Sequence, residues 1–186
     1  MITLTQLWLP ILLSAIGVFI ASSIVHMALK FWHMPDYHGF SNEDEVRAAI
    51  RKSNPSPGMY MLPYCKMEDM KKPEVQEKFT QGPVAFMILR ASGKLNMGAS
   101  LVQWFIFCLV VSIFCAYIAS STLAGGTAGL QVFRVIATIG FMAYAFAVLP
   151  FGIWYGQPWK AVTKDVIDGL IYGLITGAIF AALWHA

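Results

Sequence analysis

Four apolar runs, residues 7–29, 100–123, 130–153 and 166–184, decide what this chain can fold into. A helix rises about 1.5 Å per residue, so roughly 20 apolar residues cross a hydrocarbon core about 30 Å thick. Lipid offers the backbone no hydrogen-bond partners, so each run has to satisfy its own amides as a helix. The composition agrees, with 58% of residues hydrophobic and only 12% charged, far from the balance of a soluble domain. The first run is read as a true span and not a cleaved signal, because no Lys or Arg precedes it and it exceeds a signal core in length. The expected fold is an all-α membrane protein with four transmembrane helices and a small α+β cytoplasmic cap. Helix 1 falls in residues 1–30, the cap in the long connection 31–99, and helices 2–4 in 100–186.

Basic residues are spread unevenly along this frame. Residues 30–99 hold ten of the 13 Lys and Arg, residues 154–165 hold two, and the last is Arg134 in the third run. With four spans, both charged connections fall on one side, which the positive-inside rule makes cytoplasmic. Both termini and the glycine-rich turn at 124–129 then face away from the cytoplasm. This is the pattern of a bacterial inner-membrane protein whose partners are the lipid bilayer and either further copies of itself, as a homo-oligomer, or other membrane subunits. A formal charge of +3 is too small to argue for nucleic acid.

Within the spans, Gly169, Gly173, Gly177 and Ala181 recur every four residues and form a small-residue contact stripe. It suits packing within the chain or an oligomer interface. Asp165 and Asp168 stand at the opening of the fourth run, where a helix dipole favours acids; a proton relay is the functional alternative. Arg134 lies about one turn into the third run, and has to snorkel or find a partner. All six tryptophans, at 8, 32, 104, 154, 159 and 184, fall near expected span ends, as an interfacial belt requires. Cys108 and Cys115 lie inside the second run as inert packing, and with Cys65 they form no CxxC pair or disulfide framework.

The connection has its own pattern. SNEDEVRAAIRK opens with acids and closes with bases, so it predicts an amphipathic helix, which NPSPG stops. GMYMLPY and GPVAFMILR read as strands on either side of a helical stretch in which Pro73 sits at a helix start.

The stretch HMALKFWHMPDYH, residues 26–38, gathers three histidines at the exit of the first span. On a continuous helix His26, Lys30 and His33 share a face, and Pro35 prevents extension beyond it. Ligands for a metal are available in His26, His33, His38, Met34 and Cys65, but their spacing is not diagnostic. A bis-histidine haem lacks its second ligand, since His185 belongs to the other end of the bundle. An interfacial border, marked by Lys30, Trp32 and Pro35, accounts for the same residues. No GxSxG, HExxH, Walker or dinucleotide motif occurs, so the sequence points to no catalytic residues and no cofactor.

The segments PYCKMEDMKKPEVQEKFTQGPV, NMGASLVQWF and DVIDGLIYGLITG resemble, in order, a group of small four-span bacterial integral membrane proteins. That resemblance implies a fold and a location; no known activity comes with it. The expected function is a non-catalytic accessory subunit or homo-oligomer of the inner membrane, not an enzyme. Two alternatives stand beside it: a small-solute or ion pathway formed by an oligomer around Arg134 and the glycine stripe, and a metal-binding protein using His26 and His33.

Overall fold

The computed structural model describes residues 2–184, so His185 lies outside the described residues. Two compact units form: one holds the long helices, and the other runs from His38 to Leu95 together with Trp154–Gly156.

The first span begins as α1 (Trp8–Ser23) and continues into a π-helical turn, Ile24–Ala28, where the Leu29 amide reaches back to the Ile24 carbonyl at 3.0 Å. Leu29 (φ −86°, ψ 63°) then breaks the ladder. A single turn, α2 (Lys30–His33), and a 3-10 turn, Met34–Asp36, follow before the chain becomes extended at Tyr37. Pro35 has no amide to offer an i−4 carbonyl, so α2 is not prolonged.

In the second unit, α3 (Glu43–Lys52) forms where Glu43, Asp44 and Glu45 meet the positive end of the helix dipole, and Arg51 and Lys52 the negative end. Strands β1 (Gly58–Leu62) and β2 (Ala85–Leu89) pair antiparallel, with Met59 opposite Ile88 and Met61 opposite Phe86. Between them lies α4 (Pro73–Gln81), started by its proline.

In the first unit, α5 (Met97–Thr122) is capped by Asn96, whose Oδ1 accepts the Ala99 amide at 3.0 Å. Helix α6 (Gly129–Ala145) passes through a 3-10 turn, Phe146–Val148, into α7 (Leu149–Tyr155), and α8 (Trp159–Leu183) completes the fold. Four stretches are long and apolar enough to cross a membrane: Trp8–Ala28, Met97–Thr122, Gly129–Tyr155 and Trp159–Leu183. The chain is thus a multi-pass membrane protein.

Helix α1 packs on α5 and α8, and α6 packs on the same two, so the four long helices close in a ring. The glycine stripe of α8 seats α6. A Cβ on Gly173 would lie 2.5 Å from the Phe141 nitrogen and 2.8 Å from the Ala137 oxygen, and one on Gly169 or Gly177 would lie 2.7 Å from the Cβ of Ala145 or Ala137. Further along, the Ala181 carbonyl oxygen faces Gly129. Close approach of backbones through small residues supplies packing energy where lipid gives helices little hydrophobic drive to associate. Phe180, Ile136, Val132 and Cys115 fill one level of the core, and Ala15, Val18, Cys108 and Tyr172 another.

Two spans differ from their sequence expectation. The fourth helix begins at Trp159, about two turns before residue 166, so Asp165 and Asp168 stand inside it and not at its opening. The third span is interrupted at Phe146–Val148, because Pro150 has no amide to offer the Phe146 carbonyl.

Candidate functional site

An unbroken α-helix would hold residues 26 and 33 about 10.5 Å apart along its axis, seven residues at 1.5 Å each. Their rings instead stack with centroids 4.5 Å apart and planes 15° from parallel. The π turn and the break at Leu29 fold the His33 turn back toward His26, while Lys30 is exposed and takes no part. The shared face expected of a continuous helix is therefore replaced by a compressed pair.

That pair meets Asp168 of α8. His33 Nε2 lies 2.6 Å from Asp168 Oδ2, and His26 Nε2 lies 3.9 Å from the same oxygen. The other carboxylate oxygen accepts the Trp32 indole N–H at 2.9 Å. Asp168 is only 3% exposed, His33 is partly buried, and His26 is half-exposed. One nitrogen from each histidine and one oxygen of Asp168 all lie within 4.8 Å of one another, the grouping of His, Cys, Asp and Glu donors of this kind found among the described residues.

One turn earlier on α8, Lys164 is 8% exposed. Its ammonium donates to both oxygens of Asp36, at 2.7 and 2.8 Å, and to the Trp32 carbonyl, which the end of α2 leaves without a helical partner. Lys164 also lies 5.6 Å from the centre of the Trp32 ring. The turn from Trp32 to Asp36 is thus fastened to α8 at two points. Lys164 and Asp36 balance each other in charge, which leaves Asp168 facing two imidazoles and an indole.

A cleft of about 430 Å³ opens beside Asp168. Trp104, Phe107, Tyr144, Phe151 and Tyr172 give it aromatic walls, and His26, Asp165 and Asp168 give it polar ones. Gln157 Nε2 donates to Asp165 at 3.0 Å, and the Trp104 indole donates to Ser22 Oγ at 2.7 Å. The Tyr172 hydroxyl is buried with no hydrogen-bond partner among the described residues. Both irregular stretches of the spans border this cleft, the π turn through His26 and the 3-10 turn through Ala147 and Val148.

Of the residues singled out in the sequence, His26, His33 and Asp168 converge, and Asp165 lines the adjoining cleft. His38 and Cys65 belong to the second compact unit, and Met34 is exposed. Arg134 is exposed on α6. Sequence reasoning missed Trp32, Asp36, Lys164, Trp104 and Tyr172. For Lys164 a signal was present, a lysine four residues before Asp168 and so on the same helical face. Trp32 and Trp104, read as belt residues, spend their indole N–H groups inside the protein.

Compared with known proteins, the chain matches no protein-family model, no curated protein and no solved structure. The resemblance to small four-span membrane proteins reaches as far as the four long apolar helices and identifies no family.

Proposed function

We propose that this multi-pass membrane protein binds a small cationic solute at Asp168, in a binding role with no covalent step. One observation carries the reading: a carboxylate 3% exposed, inside a spanning helix, stands in the wall of an aromatic cleft. Taking a carboxylate out of water costs several kcal/mol, and ionisable groups within spans mark ion and solute sites. Lys164, one turn before Asp168 on the same helix, is engaged with Asp36. Aromatic faces add attraction for a positive charge. Irregular backbone at membrane depth is tolerated where it lines a cavity, and the breaks in spans one and three both border this one.

The site lies within one chain, so the reading does not depend on an oligomer or a second subunit. The proposed location is a bacterial inner membrane with both termini outside the cytoplasm, a reading supported by the Lys and Arg distribution under the positive-inside rule.

Equilibrium binding to the purified full chain, with tetraphenylphosphonium and Zn2+ as separate probes, tests the reading. Saturable binding of either probe at one per chain, lost in Asp168→Asn, is the expected result. Absence of saturable binding for both, or binding untouched by Asp168→Asn, overturns it.

A further inference from the structure

Resting on the cationic site just proposed, the geometry points to a divalent first-row transition-metal ion as the solute, held by His26 Nε2, His33 Nε2 and Asp168 Oδ2. The donor set is two imidazoles and one carboxylate, which suits zinc and its neighbours better than calcium or magnesium, whose ligands are oxygens. An organic cation needs only the carboxylate and the aromatic walls; it gives no reason for two histidines to be brought onto the same oxygen.

The surroundings are arranged as metal sites arrange them. Asp168 Oδ1 is occupied by the Trp32 indole at 2.9 Å, so the carboxylate is held with Oδ2 toward the two rings. Hydrogen bonds of this kind orient ligands and raise metal affinity. Zinc bonds of about 2.0–2.2 Å place tetrahedral ligand atoms roughly 3.3 Å apart. The separations of the two histidine nitrogens from Asp168 Oδ2, 2.6 and 3.9 Å, bracket that spacing, and all three atoms lie within 4.8 Å of one another. The shorter is the hydrogen bond between His33 and Asp168, in which the ring proton occupies the position a metal would take. Coordination requires that proton to leave Nε2 and the ring to carry its proton on Nδ1, the side of Asp36, whose Oδ2 lies 3.8 Å away and beyond hydrogen-bond reach.

His26 has to turn, because stacked rings direct their nitrogen lone pairs side by side and not toward a common point. Its ring is half-exposed and borders the cleft, which gives it the room. Three protein ligands leave a further position for water or for another donor, as in zinc sites that exchange their contents. Tyr172, whose buried hydroxyl has no hydrogen-bond partner among the described residues, also lines this cleft.

Titration of the purified full chain with Co2+ and Zn2+ tests the assignment, read by the visible absorption of the bound cobalt, elemental analysis and thermal unfolding. Binding at one ion per chain with a raised unfolding temperature is expected, since an ion bound only by the native state stabilises it. His26→Gln and His33→Gln abolish the cobalt spectrum, Trp32→Phe weakens binding about 10- to 100-fold, and His38→Gln changes nothing. His26 is half-exposed and 3.9 Å from Asp168, beyond hydrogen-bond distance, so its variant gives a reading even if His33→Gln does not fold. Metal binding no weaker in His26→Gln than in the parent chain overturns the assignment. Binding of tetraphenylphosphonium that depends on Asp168, with none of Zn2+ or Co2+, overturns it while leaving the cationic site intact; no binding of any of the three overturns both.

Discussion

The fastening of the Trp32–Asp36 turn to α8 yields a prediction whose size follows from the contacts. Lys164→Met keeps the length of the side chain and removes its charge. Asp36, whose side chain is 11% exposed, then loses the ammonium at 2.7 Å, and the Trp32 carbonyl loses its donor. Removing one partner of a buried ion pair costs about 3–5 kcal/mol, because the remaining charge is left uncompensated. Adding Asp36→Leu removes that charge and leaves only the orphaned carbonyl, worth about 1–3 kcal/mol. The double variant is therefore more stable than Lys164→Met alone, by about 2 kcal/mol on these figures. At roughly 2–4 °C per kcal/mol for a chain of this size, the single variant melts on the order of 10 °C below the parent and the double variant recovers about half of the loss. Thermal unfolding followed by circular dichroism, with all three chains in one detergent, measures this. A double variant as unstable as Lys164→Met, or a single variant within about 0.5 kcal/mol of the parent, would refute the reasoning.

The glycine stripe makes its own prediction: Gly173→Ala puts a methyl group 2.5 Å from the Phe141 nitrogen and costs about 1–3 kcal/mol by forcing α6 and α8 apart, whereas Leu174→Ala, at an exposed neighbouring position, costs clearly less. Equal losses in the same melting assay would remove the stripe from the packing argument. Orientation is checked with reporter fusions. One at the C-terminus is active only outside the cytoplasm and one inserted near Ser56 only inside it; the opposite pattern refutes the charge argument.

What the sequence made legible was set by length and hydropathy. A run of about 20 apolar residues has a single physical solution in lipid, and all four such runs are helical. The start of α8 was hidden by the same logic, since Lys160, Lys164 and Asp165 lower local hydropathy and read as a connector. Lys164 is nonetheless helical and buried, because Asp36 neutralises it. The interruption of span three had a visible cause in Pro150, but a proline in an apolar run marks a kink without saying what the kink borders. His26 and His33 were conspicuous as a pair of ligands. Their third partner was not, because Asp168 lies 135 residues from His33 and only the packing of α1 and α2 against α8 brings them together.

The polar residues at this junction divide into two sets with different physical purposes. Docking α2 on α8 is accomplished by Lys164, Asp36 and the Trp32 carbonyl, which pair donors with acceptors and balance their charge. A purely mechanical junction needs nothing more. His26, His33 and Asp168 form the other set, and they are brought together by departures from regular structure: a π turn that carries His26, and a break at Leu29 that brings His33 back under it. The π turn forfeits regular helical hydrogen bonds inside the span, where lipid supplies no substitute, and π turns within helices are frequent at functional sites. A straight first span ending on Lys30 and Trp32 would cross the membrane equally well with its histidines about 10.5 Å apart. The irregularity is accounted for by the convergence it produces, which is why the binding reading is centred on this cluster and not on Arg134 or the glycine stripe.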